Sequence, residues 1–104
     1  MQLTVGISEM KVSTDPKDSL ITYSLGSCIG VALFDPDAGV GGLIHCMLPL
    51  SRLDPEKAKK TPQMFTDTGI PALIQTLLDR GGTRKRMIAK VAGAASPLND
   101  NGMF

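Results

Sequence analysis

Tryptophan is absent from this 104-residue chain, and the aromatic complement is one Tyr and three Phe. That leaves little surface for stacking on nucleic-acid bases. Charge of one sign is equally scarce. The formal net charge of +1 gives no field that would draw the protein to nucleic acid or to an anionic membrane. No stretch approaches the ~20 consecutive apolar residues of a membrane helix. The opening Met1-Gln2-Leu3-Thr4-Val5-Gly6 lacks the basic region and apolar core of a signal peptide. These lacks predict a cytoplasmic protein with no nucleic-acid partner and no membrane insertion. Cysteine is limited to Cys28 and Cys46, too few for a disulfide framework or a metal quartet. Cytoplasmic thiols stay reduced, so either is a candidate working thiol.

What is present describes an ordinary globular domain: 42% apolar and 20% charged residues. The length suits a single domain spanning residues 1–104. Residues 3–12 are β-rich and loosely alternating, which predicts a first strand. Asp15-Pro16-Lys17-Asp18 is turn chemistry. A second strand over 20–23 runs into the tight Leu25-Gly26-Ser27-Cys28 bend. Residues 28–34 form a third strand, apolar enough to be covered on both faces. After Asp35-Pro36-Asp37-Ala38-Gly39 a fourth strand returns over 40–48, stopped by Pro49. Residues 51–62 are polar and read as a mobile, solvated loop.

One helix is clear. Ile70, Leu73, Ile74, Leu77 and Leu78 make a single apolar stripe. Thr66 or Asp67 can cap its start, Pro71 suits a first turn, and Gly81-Gly82 ends it. A strand over 86–91 and the small-residue run Ala92-Gly93-Ala94-Ala95-Ser96 follow. The order β-β-β-β-α-β predicts an α+β domain with a mainly antiparallel sheet and one main amphipathic helix.

The third and fourth strands hold the candidate chemistry. With the turn at Pro36-Asp37, Cys28 opposes His45, their Cβ atoms ~4.5–5.5 Å apart. An imidazole at that distance can take a thiol proton. Gly30, Leu43 and Gly41 share that face and leave room for a substrate side chain. Ile29, Val31, Leu33, Val40, Ile44 and Cys46 point the other way, as core. The bend at Gly26 and Ser27 can offer backbone N–H groups as an oxyanion hole. Thr22, if its strand folds back beside the third, can orient the imidazole. Each residue also has a plainer reading. A lone cysteine in an apolar strand is more often a small core residue, a lone histidine more often structural, and Thr22 an ordinary β-branched strand residue. Spacing alone leaves both readings open.

Motif content narrows them. Val5-Gly6-Ile7-Ser8-Glu9-Met10 is similar to the opening strand of the chemoreceptor glutamine deamidase family, CheD. The segment from Leu20 to Pro36, centred on Gly26-Ser27-Cys28, resembles the family's G-S-C-V-x-V-x-L-Y-D-P hallmark. Val40-Gly41-Gly42-Leu43-Ile44-His45-Cys46-Met47-Leu48-Pro49 resembles its G-G-x-x-H-x-M-L-P. The runs at 66–74 and 90–96 resemble its helix and its A-G-G-A segment, with Ala94 in place of the second glycine. The resemblance covers nearly the whole chain in order.

The resemblance implies a layered α/β/β sandwich and a cysteine amidohydrolase that converts chemoreceptor glutamines to glutamates. Cys28 would be the nucleophile, His45 its base and Thr22 the third catalytic residue, with no metal or organic cofactor. The implied partners are the cytoplasmic domain of chemoreceptors and a CheC-type phosphatase. A non-catalytic module that engages such a phosphatase is the alternative, and a small cysteine peptidase shares the same nucleophile logic. Family members normally continue past the position of Phe104. With the helix on one face of the sheet, the face bearing Ile29, Val31, Leu33, Val40 and Ile44 is expected to need a second layer. A chain of 104 residues is therefore expected to be marginally stable or to self-associate.

Overall fold

Two sheets and one long helix make three layers in the computed structural model, which describes residues 1–93. The Ala94-Ala95-Ser96 run and the turn-like end of the chain lie outside the described residues. The central sheet is antiparallel, in the order β2 (Glu9–Ser13), β5 (Val40–Cys46), β4 (Ile29–Asp35), β6 (Ile88–Gly93). A parallel pair, β1 (Gln2–Val5) with β3 (Ser19–Thr22), makes the second sheet. Helix α2 (Thr66–Asp79) covers the opposite face of the central sheet. The architecture is the α+β arrangement expected.

The single first strand is in fact two. Leu3 and Val5 lie at odd positions and Met10 and Val12 at even ones, so the alternation changes phase between them. The chain turns there: Ser8 takes φ 62°, the Gly6 amide donates to the Glu9 carboxylate at 2.7 Å, and Ser8 N–H donates to the His45 carbonyl at 2.8 Å. One half joins the small sheet and the other pairs with β5.

The core is the α2 side of the sheet: Val31, Leu33, Val40, Ile44 and Cys46 against Leu73 and Leu77. Partly buried Ile29, Ile70 and Ile74 pack at its margin. The face expected to need a further layer is therefore the one that the helix covers. Burying a leucine of this kind contributes about 1.5–3 kcal/mol, so Leu73 and Leu77, both 0% exposed, anchor the helix. Capping differs from expectation. Phe65 is the N-cap, with no side-chain bond. Thr66 and Asp67 instead tie the helix to the preceding chain, Thr66 Oγ1 donating to the Pro49 carbonyl (2.7 Å) and Asp67 accepting from the Ser51 amide (2.9 Å). Pro71 lies beyond the first turn, inside the helix, exposed to solvent. Gly81, at φ 98°, and Gly82, whose amide reaches the Leu77 carbonyl at 2.9 Å, close the C-terminus.

The polar segment is not a loop. Short 3₁₀ turns at Ser51–Leu53 and Pro62–Met64 flank helix α1 (Pro55–Lys60). Asp54 caps α1 by accepting from the Lys57 amide, and Pro55 opens it. Lys57, Lys59 and Lys60 sit in its last turn, where cations oppose the helix dipole. Among the described residues, no helix is long and apolar enough to cross a membrane.

Candidate active site

The hairpin that carries the cysteine and histidine is offset by two residues from the expected register. Gly30 opposes His45 and Ile29 opposes Cys46. The Asp35 carboxylate accepts from the amides of Asp37 (3.0 Å) and Ala38 (3.2 Å), which shapes a four-residue connection between Asp35 and Val40. The turn is thus centred on Asp37-Ala38 and not on Pro36-Asp37. A shift of two preserves the alternation, so the assignment of residues to faces is unchanged. Cys28 lies just before β4 and is diagonal to His45, a separation that a long or aromatic side chain still spans.

Asp35 is itself 1% exposed. Arg86 clasps it, Nε at 3.0 Å and Nη2 at 2.9 Å, and the Thr83 amide donates at 2.8 Å. The Arg86 hydrogen bond, helped by the amides and opposed by burial, holds the Asp35 carboxyl well below the usual carboxylate range. This pair ties the hairpin turn to the segment leading into β6.

His45 is fully buried at 0% exposure, on the face of the central sheet that meets β1 and β3. Thr22, at the end of β3, places Oγ1 2.8 Å from His45 Nδ1. The same hydroxyl lies 2.7 Å from the Val5 carbonyl on the neighbouring strand. A carbonyl can only accept, so the hydroxyl spends its proton on Val5 and must accept from Nδ1–H. In the neutral ring the lone pair is then on Nε2. That atom is buried and has no hydrogen-bond partner among the described residues. Such a lone pair can accept a proton.

Cys28 is half-buried. It closes a turn in which its amide donates to the Leu25 carbonyl. Gly26, the second residue of that turn, takes φ 38°, a left-handed conformation that glycine adopts without strain. Because the Cys28 amide is used within the turn, of the turn's amides only those of Gly26 and Ser27 are left as candidate donors to an oxyanion. Neither has an acceptor among the described residues. A largely apolar cavity of about 170 Å³ opens beside Thr22, lined by Leu25, Gly30, Ala32 and Leu43 among others. Cys46 is of a different kind. It is 0% exposed in the α2-side core. Burial, with the Cys28 sulfur as a lesser cause, pushes its thiol up to about 11, so it is protonated at neutral pH. Among the described residues, no group of three His, Cys, Asp or Glu side chains converges as a metal site.

The fold brings Thr22 and His45 into contact and sets the Gly26-Ser27-Cys28 turn at the head of the strand beside His45. The expected hydrogen bond between the Cys28 thiol and the imidazole is not formed, since His45 Nε2 has no partner among the described residues. No residue type in the sequence points to the Val5 carbonyl, which fixes the imidazole tautomer through Thr22. Backbone acceptors carry no side-chain signature. Its one trace was the change of alternation that puts Val5 in a different sheet from Met10.

The sequence model of CheD, described as CheD chemotactic sensory transduction, matches residues 47–103, just over half of the chain. The chain belongs to the CheD family. It is 55% identical over 100 residues to a Syntrophus aciditrophicus protein named probable chemoreceptor glutamine deamidase CheD 1, covering 96% of this chain and 62% of that relative. It is 45% identical over 103 residues to a Solibacter usitatus protein named probable chemoreceptor glutamine deamidase CheD, covering 99% and 61% respectively. A third CheD relative, from Anaeromyxobacter dehalogenans, is 44% identical over 100 residues, covering 96% of this chain and 62% of its own length. The chain thus spans about three fifths of the length of the CheD relatives it matches. The family match begins after His45, whereas the pairwise similarities extend over almost the entire chain.

Proposed function

We propose that this chain carries the catalytic centre of a protein-glutamine deamidase acting on chemoreceptors, with Cys28 as nucleophile, His45 as base and Thr22 as the residue that orients it. The observation that carries the reading is the commitment of His45 Nδ1 to Thr22, which leaves an unpartnered Nε2 in a buried imidazole. The names of the CheD relatives supply the reaction and the substrate class.

In this mechanism Nε2 takes the Cys28 thiol proton, and the thiolate attacks the side-chain amide carbon of a receptor glutamine. The oxygen becomes an oxyanion facing the Gly26 and Ser27 amides. The imidazolium returns its proton to the nitrogen, the C–N bond breaks, and ammonia leaves a thioester on Cys28. Nε2 then deprotonates a water that attacks the thioester carbon. The C–S bond breaks, the thiolate regains its proton from the imidazolium, and glutamate is released. No step calls for a metal or organic cofactor. The site of action is the cytoplasmic helical domain of the receptor. A CheC-type phosphatase is a further partner that the family resemblance implies, and a purely non-catalytic adaptor would have no use for the Thr22–His45 arrangement.

Intact mass of a receptor cytoplasmic fragment, before and after incubation with the full-length protein, tests the reading. Each deamidation adds about one dalton and one negative charge and leaves the chain uncut, because an amide becomes an acid. Cys28→Ala should abolish the change, and Cys46→Ala should retain it at a stability cost of about 1 kcal/mol. Equal loss of activity in both variants, both folded, would mean that Cys28 is not the nucleophile. Cleaved fragments would point to a peptidase.

A further inference from the structure

The turn that ends in Cys28 rests on two glycines from neighbouring strands. Gly93, the last residue of β6, pairs with Ile29 and takes φ 87°. A Cβ there would fall inside contact distance of the Cys28 carbonyl oxygen and 2.9 Å from Leu25 Cβ. Gly30, on β4, has the Leu25 methyls above it: a Cβ would stand 3.0 and 3.2 Å from them. Leu25 and Cys28 are the two ends of the turn, joined by the Cys28 amide. The obstacle at Gly93 is backbone and cannot swing aside. The obstacle at Gly30 is the end of a flexible side chain and can. Gly39 and Gly81 also have positive φ, but nothing lies within 4 Å of a Cβ built on either, so substitution there strains only the local backbone.

We infer that Gly93, assisted by Gly30 through Leu25, is a positioning residue for the nucleophile: their missing side chains set where the Cys28 thiol stands relative to His45. The inference rests on the reading of Cys28 as nucleophile. A side chain at Gly93 displaces the Cys28 backbone, and a misplacement of about 1 Å at a reacting centre costs on the order of 10²-fold in rate.

The test uses the full-length protein and two readouts. One is the rate of iodoacetamide alkylation at Cys28, followed by mass spectrometry. The other is steady-state deamidation of a receptor fragment. Gly93→Ala should slow alkylation at Cys28 by about tenfold or more and lower kcat by about 10²-fold, with KM within about threefold. Gly81→Ala should lower the melting temperature but leave both readouts within about twofold, because its strain is local. Gly30→Ala should slow alkylation at Cys28 to an intermediate degree, an effect that disappears in a Leu25→Ala background. A folded Gly93→Ala protein with native alkylation and kcat overturns the inference. If Gly93→Ala does not fold, the Gly30 and Leu25 pair decides: a slowing of alkylation in Gly30→Ala that persists in the Leu25→Ala background, or no slowing at all, overturns it. Should Cys28→Ala deamidate normally, the nucleophile reading fails by itself, while the alkylation rates still report whether the glycines place the thiol.

Discussion

Replacing Thr22 with valine keeps the shape of the side chain and removes one oxygen, which isolates the role of that oxygen. The oxygen links two buried groups, His45 Nδ1 at 2.8 Å and the Val5 carbonyl at 2.7 Å. In Thr22→Val the Nδ1–H form faces a methyl group inside a site where the imidazole is 0% exposed. A buried donor left without a partner costs about 1–3 kcal/mol, which is a factor of roughly 5–150 in the ratio of tautomers. The Nδ1–H form then loses its advantage over Nε2–H, the form that cannot accept a thiol proton, because Nε2 is equally without a partner, and the imidazole loses the bond that orients it. The tautomer change alone removes about half of the active form, and loss of the ring's orientation brings the expected fall in kcat to about 10–10²-fold, with KM within about threefold, since the hydroxyl is assigned no contact with substrate. Thr22→Ser, which restores the oxygen, should recover most of the rate. The assay is steady-state release of ammonia from a receptor fragment, with circular dichroism to check folding. A folded Thr22→Val protein with kcat within threefold of wild type would refute the orienting role of Thr22, as would a Thr22→Ser protein no better than Thr22→Val.

Two further predictions concern the fold beneath the site. Leu73→Ala opens a cavity between α2 and the sheet at a residue that is 0% exposed. It should cost about 2–5 kcal/mol, read as a fall in melting temperature of at least about 8 °C at the usual scaling for a domain of this size; a smaller fall would mean that the helix does not rest on the sheet through Leu73. Asp35 bears on pH. Its folded-state carboxyl is held below its ordinary value of 3.8 by Arg86, so its stabilising contribution is fully present above that value and is lost as pH falls through the depressed one. The melting temperature of the wild type should therefore drop more steeply between about pH 5 and about pH 2 than that of Asp35→Asn; parallel profiles would show that the pair does not carry acid sensitivity.

Much of the fold was legible in the amino-acid order because it depends on local periodicity. The stripe of Ile70, Leu73, Ile74 and Leu77 allowed only a helix with one buried face. The period of two in β4 and β5 separated the His45 face from the Cys46 face, and that separation survived a register shifted by two residues, since an even shift leaves every side chain on its side. The α1 helix was also written locally, in Asp54-Pro55 ahead of Glu56-Lys57-Ala58-Lys59-Lys60, but charge and polarity read as solvated loop because no apolar stripe accompanied the cap. The phase change between Val5 and Met10 was the remaining local sign, and it marked the break that sends β1 and β2 to different sheets.

Tertiary structure decided what depends on contacts between distant segments. The register of the hairpin was set by the Asp35 carboxylate, which shapes the turn while Arg86, 51 residues away, holds it. Nothing in the local sequence counts those bonds. The face that α2 covers could not be known from the stripe alone, because an amphipathic helix specifies that it must pack and not on what. The state of His45 was decided furthest from the sequence. It requires β1 and β3 to pair in parallel so that the Val5 carbonyl takes the Thr22 proton and Thr22 in turn takes the imidazole N–H. Residues 5, 22 and 45 are separated along the chain by spans that carry no periodic signal linking them. A backbone carbonyl is the same chemical group in every residue. Only its placement in space distinguishes the one that sets the tautomer.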